Sequence, residues 1–232
     1  MAAEIGNVGN GDWASAAVTL GITGAVAGDP DTAARVEDSF GTVEHLIPTT
    51  SVVFTSDAWA FSLFVRVDAP GPPANSEYFF FVSQPAQAFD NPDVEFVVIA
   101  ELFAVGMVYR PACRVLVNGA PVGLQLINPT PMVFGQFYHM ACVCDASALT
   151  LYIDGVSVAS ASRAPLPLGL SSNFDTATMQ FVPMSVLTHV PIPVARWVAA
   201  DELVIYDGVP SASTWPFLYD VATAQCPTVP PS

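Results

Sequence analysis

Residues 135–155 read GQFYHMACVCDASALTLYIDG, and this run leaves room for little besides two β-strands folded back on each other. Residues 136–144 are rich in aromatic and β-favouring types, and Asp145-Ala146-Ser147 has turn chemistry. Leu149, Leu151 and Ile153 then alternate with Thr150, Tyr152 and Asp154, a period of two that sends one set to each face of a strand. Asp154-Gly155 is a two-residue hairpin turn that leads into a third strand over residues 156–160. Three antiparallel strands within about 25 residues make a β-meander, so the fold class is all-β and antiparallel.

Strand signals recur along most of the chain, at the intervals expected of a β-sandwich. Residues 43–46 and 51–54 flank a turn at Pro48, and residues 60–67 alternate cleanly until the Pro- and Gly-rich segment 69–75. Residues 77–82 and 94–100 are nearly continuous apolar runs, as in strands covered on both faces. Residues 113–117 end at Asn118-Gly119, a hairpin signal into residues 122–126. Short strands are predicted at 179–182 and 186–190, and a long one at 197–207. The first 40 residues carry one weak strand signal near residues 16–22 and a turn at Gly28-Asp29-Pro30-Asp31, and otherwise read as irregular wrapping. Residues 212–222 form the sole helical segment, which Pro216 limits to a turn or two. With residues 223–232 as an extended tail, the whole chain, 1–232, is expected to be a single domain.

The central run resembles the signature hairpin of the laminin-G-like, concanavalin A-like jelly rolls, in which an aromatic-His-His-Val-Ala opening leads to Leu-Tyr-Val-Asp-Gly. SVVFTSDAWAFSLFVRVDAP from Ser51, RVLVNG from Arg114 and AADELVIYDGVPSAS from Ala199 are similar to other strands of that family, in the same order. The resemblance implies a jelly-roll sandwich and, in many relatives, loop-bound calcium or a glycan ligand. Phe137-Tyr138-His139 stands where the family commonly has Trp-His-His, and Cys144 replaces a tyrosine, so packing is retained while histidine chemistry is not carried over. The first third matches least, which is where an individual ligand or partner would be specified.

Charge restricts the partners. Six basic residues, all arginine, against 21 acidic ones give a net charge of −15, a surface that repels phosphate backbones and anionic lipid. Nucleic acid and membrane insertion are therefore excluded as expectations, and no run of about 18 apolar residues is present. Only 12% of residues are charged and 52% are hydrophobic, so part of the surface is expected to be covered by another chain in an oligomer or larger assembly. The N-terminal MAAEIGNVGNGDW lacks the basic then apolar pattern of a signal peptide. Cys113, Cys142, Cys144 and Cys226 form no CxxC pair. Buried free thiols are the expectation, with a cross-strand bond from Cys113 to Cys142 or Cys144 as the alternative.

Candidate chemistry is sparse. Asp93 and Glu95, with Glu101 beyond, are the only carboxylates spaced for glycoside hydrolysis, and they lack the spacing and the tryptophan-rich cleft of such enzymes. His45, His139 and His189 fall in different strand contexts without a nucleophile elbow, and His139 reads as a core or rim histidine. No catalytic residue is assigned and no cofactor is required. Calcium, which takes hard oxygen ligands, is possible at Asp29 and Asp31 or at Asp201, where Glu202 follows. Trp13 and Trp59, with Asp90 and Asp93, are the candidates for ligand binding, since aromatic rings stack on sugars.

The reading that follows is a non-catalytic binding module for glycan or protein partners, extracellular or on a particle surface. The alternatives are a structural protein of a virus particle or similar shell, whether capsid, decoration or spike, and a degenerate glycoside hydrolase. A lectin-like module would present an exposed aromatic beside polar loop residues.

Overall fold

The computed structural model describes residues 3–5, 12–13, 18–26, 32–37, 44–47, 58–69, 77–84, 96–105, 108–117, 120–163, 176–183 and 197–223. The strands are β1 (Ala3–Ile5), β2 (Asp12–Trp13), β3 (Val18–Thr23), β4 (Thr32–Glu37), β5 (Glu44–Ile47), β6 (Trp59–Ala69), β7 (Glu77–Gln84) and β8 (Phe96–Val105). They continue with β9 (Val108–Val117), β10 (Ala120–Ile127), β11 (Tyr138–Cys144), β12 (Ala148–Ile153), β13 (Val156–Ser162), β14 (Thr176–Pro183) and β15 (Trp197–Asp207), and a helix, α1 (Thr214–Thr223), follows. One sheet runs β13-β12-β11-β6-β15-β4-β3 with β1 beside β15; the other runs β10-β9-β8-β7-β14-β5-β2. Neighbours pair antiparallel throughout, as the sequence predicts.

The central meander forms where alternation placed it. Cys142 pairs with Leu151 and Phe61, so β11 lies between β12 and β6. Asp145 closes the first turn: its Oδ1 accepts bonds from the Ser147 N–H (2.7 Å), the Ser147 hydroxyl (2.8 Å) and the Ala148 N–H (2.8 Å). Burial pushes this carboxyl up, but those bonds and the Arg163 charge outweigh it and hold the group below the usual carboxylate range. In the second turn Asp154 (φ 50°) and Gly155 (φ 76°) are both left-handed, as a type I′ hairpin demands. A β-carbon on Gly155 would also stand 2.6 Å from the Cα of Pro216, so backbone angle and space both require glycine there.

Alternation along β6 sends Phe61, Leu63, Val65 and Val67 inward together with Met140, Cys142, Leu149 and Leu151, all nearly inaccessible. Across the sandwich Tyr109, Leu124 and Leu126 complete this interior. The opposite face of the β6–β11–β15 sheet is buried as well, because α1 lies on it: Ala60, Ala141, Val143 and Tyr206 pack around Trp215, with Tyr152, Val204, Val209 and Leu218 at the margin. That second layer explains why β11 is buried on both faces.

Cys113 of β9 is bonded to Cys142 of β11, with Cα atoms 6.1 Å apart, and so ties one sheet to the other. This corrects the expectation of free thiols for that pair: facing sheets bring together two sulfurs that are remote in sequence. Cys144 shares the inward face of β11 and remains a buried thiol, pushed up to about 11 by burial. Cys226 lies outside the described residues.

Three boundaries differ from expectation. The first 40 residues hold four strands rather than one, because β3 and β4 form a hairpin anchored on β15 and β2 pairs with β5. Strand β9 starts at Val108, upstream of Pro111. The Pro111 carbonyl accepts the Asn128 N–H (2.9 Å), so its missing donor falls on the β10 side, where that strand has just ended, and the β8 ladder is unaffected. Helix α1 runs for 10 residues, since Pro216 is its third residue and a first-turn N–H has no acceptor within a helix. The predicted strands at 51–54 and 186–190, the segment 70–75 and the tail 224–232 lie outside the described residues. Among the described residues no helix is long and apolar enough to cross a membrane.

Candidate functional site

Residues 128–137 cross from β10 in one sheet to β11 in the other, and main-chain bonds fix them at both sides. The Met132 N–H donates to the Tyr109 carbonyl (2.8 Å) on β9, and the Gly135 N–H donates to the Val67 carbonyl (2.8 Å) on β6. The Asn128 Oδ1 accepts the Thr130 N–H (3.1 Å), and the Tyr138 hydroxyl accepts the Val133 N–H (2.9 Å). Gly135 has φ 78°, which reverses the chain into β11. Held in this way, Met132 points into the core while Val133 and Phe134 stay 60% and 41% exposed. The Phe134 ring stands edge-on to the buried Tyr109 ring, centroids 6.1 Å apart, so the projecting aromatic rests on a fixed support.

Polar groups lie at both ends of this connection. The Arg66 guanidinium pairs with both Asp68 carboxylate oxygens and lies 4.5 Å from the Phe137 ring centroid. Arg110 donates through Nε to the Pro129 carbonyl (3.2 Å). An exposed aromatic on a braced loop, beside guanidinium and hydroxyl groups, is suited to holding a ligand by apolar contact and hydrogen bonds. None of residues 128–134 stood out in the sequence, although an apolar Met-Val-Phe preceded by Pro129 and Pro131 and followed by Gly135 inside a connection was the available signal.

Those sequence-predicted site residues that lie among the described residues do not converge on this loop. Trp59 is 2% exposed and stacks parallel to Phe61 with centroids 6.3 Å apart, so its indole fills the core and offers no face to a ligand. Trp13 lies on β2 opposite Leu46 of β5. Asp201 is at an irregularity in β15 where Glu202 adopts φ 51°, and its Oδ2 accepts the Ala25 N–H (2.7 Å), fastening the chain after β3 to β15. Asp29, Asp31, Asp90 and Asp93 lie outside the described residues, as do Glu95 and His189. Among the described residues no three His, Cys, Asp or Glu side chains gather as a metal site.

His139, two residues beyond the loop on β11, is a buried titratable group. Its N–H donates to the Asp154 Oδ1 (2.9 Å), its ring packs on Phe64 with centroids 4.8 Å apart, and its Nδ1 is buried without a hydrogen-bond partner. Burial lowers its pKa from 6.5 to about 4. Between those values the unfolded chain takes up a proton that the folded chain refuses, so this residue removes stability as pH falls from 6.5 toward about 4. The expected result is that His139→Gln loses less melting temperature than the parent between about pH 7 and about pH 4.5. Equal losses in the two proteins would show that the imidazole is not the group responsible.

The fold agrees with comparisons to known proteins. The binding domain of botulinum neurotoxin DC, solved with rat synaptotagmin II, superposes with a TM-score of 0.56 at 9% identity, over 93% of this chain and 48% of that one. The ligand-binding domain of botulinum neurotoxin serotype D, solved with N-acetylneuraminic acid, gives 0.54 at 11% identity over 88% and 45%. A Trypanosoma rangeli sialidase gives 0.52 at 11% identity over 90% and 29%. The chain thus spans less than half the length of these structures, and at such identities the likeness is one of fold. No curated protein sequence matches. A sequence profile described as Laminin_G_3, concanavalin A-like lectin/glucanases superfamily, matches residues 40–177, more than half of the chain, and with the paired antiparallel sheets this places the protein in the concanavalin A-like lectin/glucanase superfamily.

Proposed function

We propose that this protein is a non-catalytic binding module that engages a glycan or protein partner through the loop at residues 128–137, with Phe134 as the anchor. The observation that carries the reading is the 41% exposed Phe134 ring braced on buried Tyr109, in a loop bonded to both sheets. A preorganised aromatic loses little freedom on binding, so contact area is converted to affinity efficiently. The toxin domains solved with N-acetylneuraminic acid and with synaptotagmin II support the choice of glycan and protein as the two partner classes. The Cys113–Cys142 bond favours an oxidising location, extracellular or on a particle surface, over a reducing compartment.

The test is a glycan array and a panel of candidate receptor ectodomains, probed with the parent chain and with Phe134→Ala. Retained ligands are expected to bind the variant at least about tenfold more weakly, a loss of about 1.4 kcal/mol. Undiminished binding by a variant that remains folded would remove residues 128–137 from the site.

A further inference from the structure

The large hydrophobic side chains exposed among the described residues are Val108, Val133, Phe134, Val156 and Phe217, and they come from four separate segments. Their placement is not scattered. Strands β11 and β13 both pair antiparallel with β12, so they run in the same direction and start at the same end of the sheet. Val156 is the first residue of β13, and Val133 and Phe134 lie four to five residues ahead of the start of β11, in the connection that enters it. In the facing sheet the Met132–Tyr109 bond and the Tyr109–Phe134 ring contact bring the start of β9, where Val108 stands, to that end too. Gly155 touches Pro216 backbone to backbone, which sets Phe217, the next residue of α1, beside the same hairpin turn. Val156 and Phe217 are each 63% exposed.

At the opposite end, the turn between β11 and β12 is Asp145-Ala146-Ser147, and Arg163 donates to its Asp145 carbonyl (3.0 Å). That turn is polar, and among the described residues the exposed large apolar side chains belong to one pole of the sandwich. Clustering of exposed apolar groups at one place marks an interaction surface, whereas singly scattered ones do not.

The charges around this pole select the partner. Among the residues whose side chains are described, Arg66 is neutralised by Asp68, Arg110 lies on the side of the loop, and Asp154 and Asp220 lie on the side of the helix. Asp154 and Asp220 act on one point: the Tyr219 hydroxyl is pushed up by the Asp154 charge first, then by burial and by Asp220. A second copy of the chain would bring another −15 against this one and is disfavoured. A sugar would meet the Phe134 face and leave Val156 and Phe217 unused.

We infer that the whole pole, from Val133 and Phe134 across to Val156 and Phe217, is a single docking surface for a protein whose contact face is apolar at its centre and basic where it meets Asp154 and Asp220. This rests on the proposed binding role and extends it to a second contact point and one class of partner.

Binding is measured on an array of synthetic peptides in which Lys/Arg content and Leu/Phe content vary independently, beside a glycan array, for the parent, Phe134→Ala and the pair Val156→Ser with Phe217→Ser. Val156→Ser with Phe217→Ser, at sites 63% exposed, should leave the melting temperature nearly unchanged, and Phe134→Ala should lower it modestly through the lost Tyr109 contact without unfolding the chain. The expected result is retention of peptides both basic and apolar, weakened by raising salt from about 50 to about 500 mM, with at least about tenfold loss in each variant. Loss in Phe134→Ala alone overturns the extended surface while the loop reading survives. Retention of glycans in place of peptides, or dimers of the parent in light scattering that the paired variant abolishes, overturns the basic protein partner. No loss in either variant overturns both readings.

Discussion

Converting Cys113 and Cys142 together to alanine is expected to lower the unfolding free energy by about 3 to 4 kcal/mol. The bond closes a sequence separation of 29 residues, and constraining a loop of that length in the unfolded chain is worth about 3.6 kcal/mol on the loop-entropy relation. Loss of the sulfur contacts between the sheets adds to this, since both residues are fully buried. Urea unfolding with and without reductant measures it. The parent should drop toward the double variant when reduced, and the variant should not respond to reductant. Coincident parent curves in both conditions would mean that the bond is absent or contributes nothing.

A similar loss is expected from the opposite face of the same sheet. Trp215 is fully buried, 5.6 Å from Tyr206 at 86° and 5.8 Å from Tyr152, centroid to centroid. Trp215→Ala removes the side chain on which α1 docks, and substitutions of this kind cost about 3 to 5 kcal/mol. Without it Ala60, Ala141 and Val143 lose their cover. Thermal unfolding followed by far-ultraviolet and near-ultraviolet circular dichroism separates the outcomes: the sandwich signal should persist at low temperature with a lowered midpoint, and Trp215→Phe should recover part of it. An unchanged midpoint would show that the helix is not fastened through this ring.

The distribution of what could be read from sequence follows from the range of the forces involved. Leu149, Leu151 and Ile153 announce their strand because a period of two is written in neighbouring residues, and Asp154-Gly155 fixes its own turn by local backbone preference. β3 shows the same period in Val18, Leu20 and Ile22, which is the weak strand signal near residues 16–22, whereas β4 is not announced locally; it exists because β15, about 160 residues downstream, offers an edge. The Cys113–Cys142 pairing depends on which strands face each other, which spacing alone does not encode. Phe134 was silent for a related reason. A single aromatic in a connection has no period, and its exposure is decided by bonds to Val67 and Tyr109 on two different sheets. Trp59 shows the converse, an aromatic whose type suggested a ligand platform and whose place on an alternating strand put it inside.

The bond between the sheets also governs the fate of the chain after cleavage. Cys113 and Cys142 stand on either side of residues 128–137, so β10 and the exposed connection belong to a covalently closed circuit. A protease that cuts beside Phe134 opens that circuit at one point and releases nothing: the two halves of the protein stay joined through sulfur, and β6 of one half still pairs with β11 and β15 of the other. A nicked molecule would migrate as one species until reduced. An exposed connection is therefore one that can be severed without the protein coming apart.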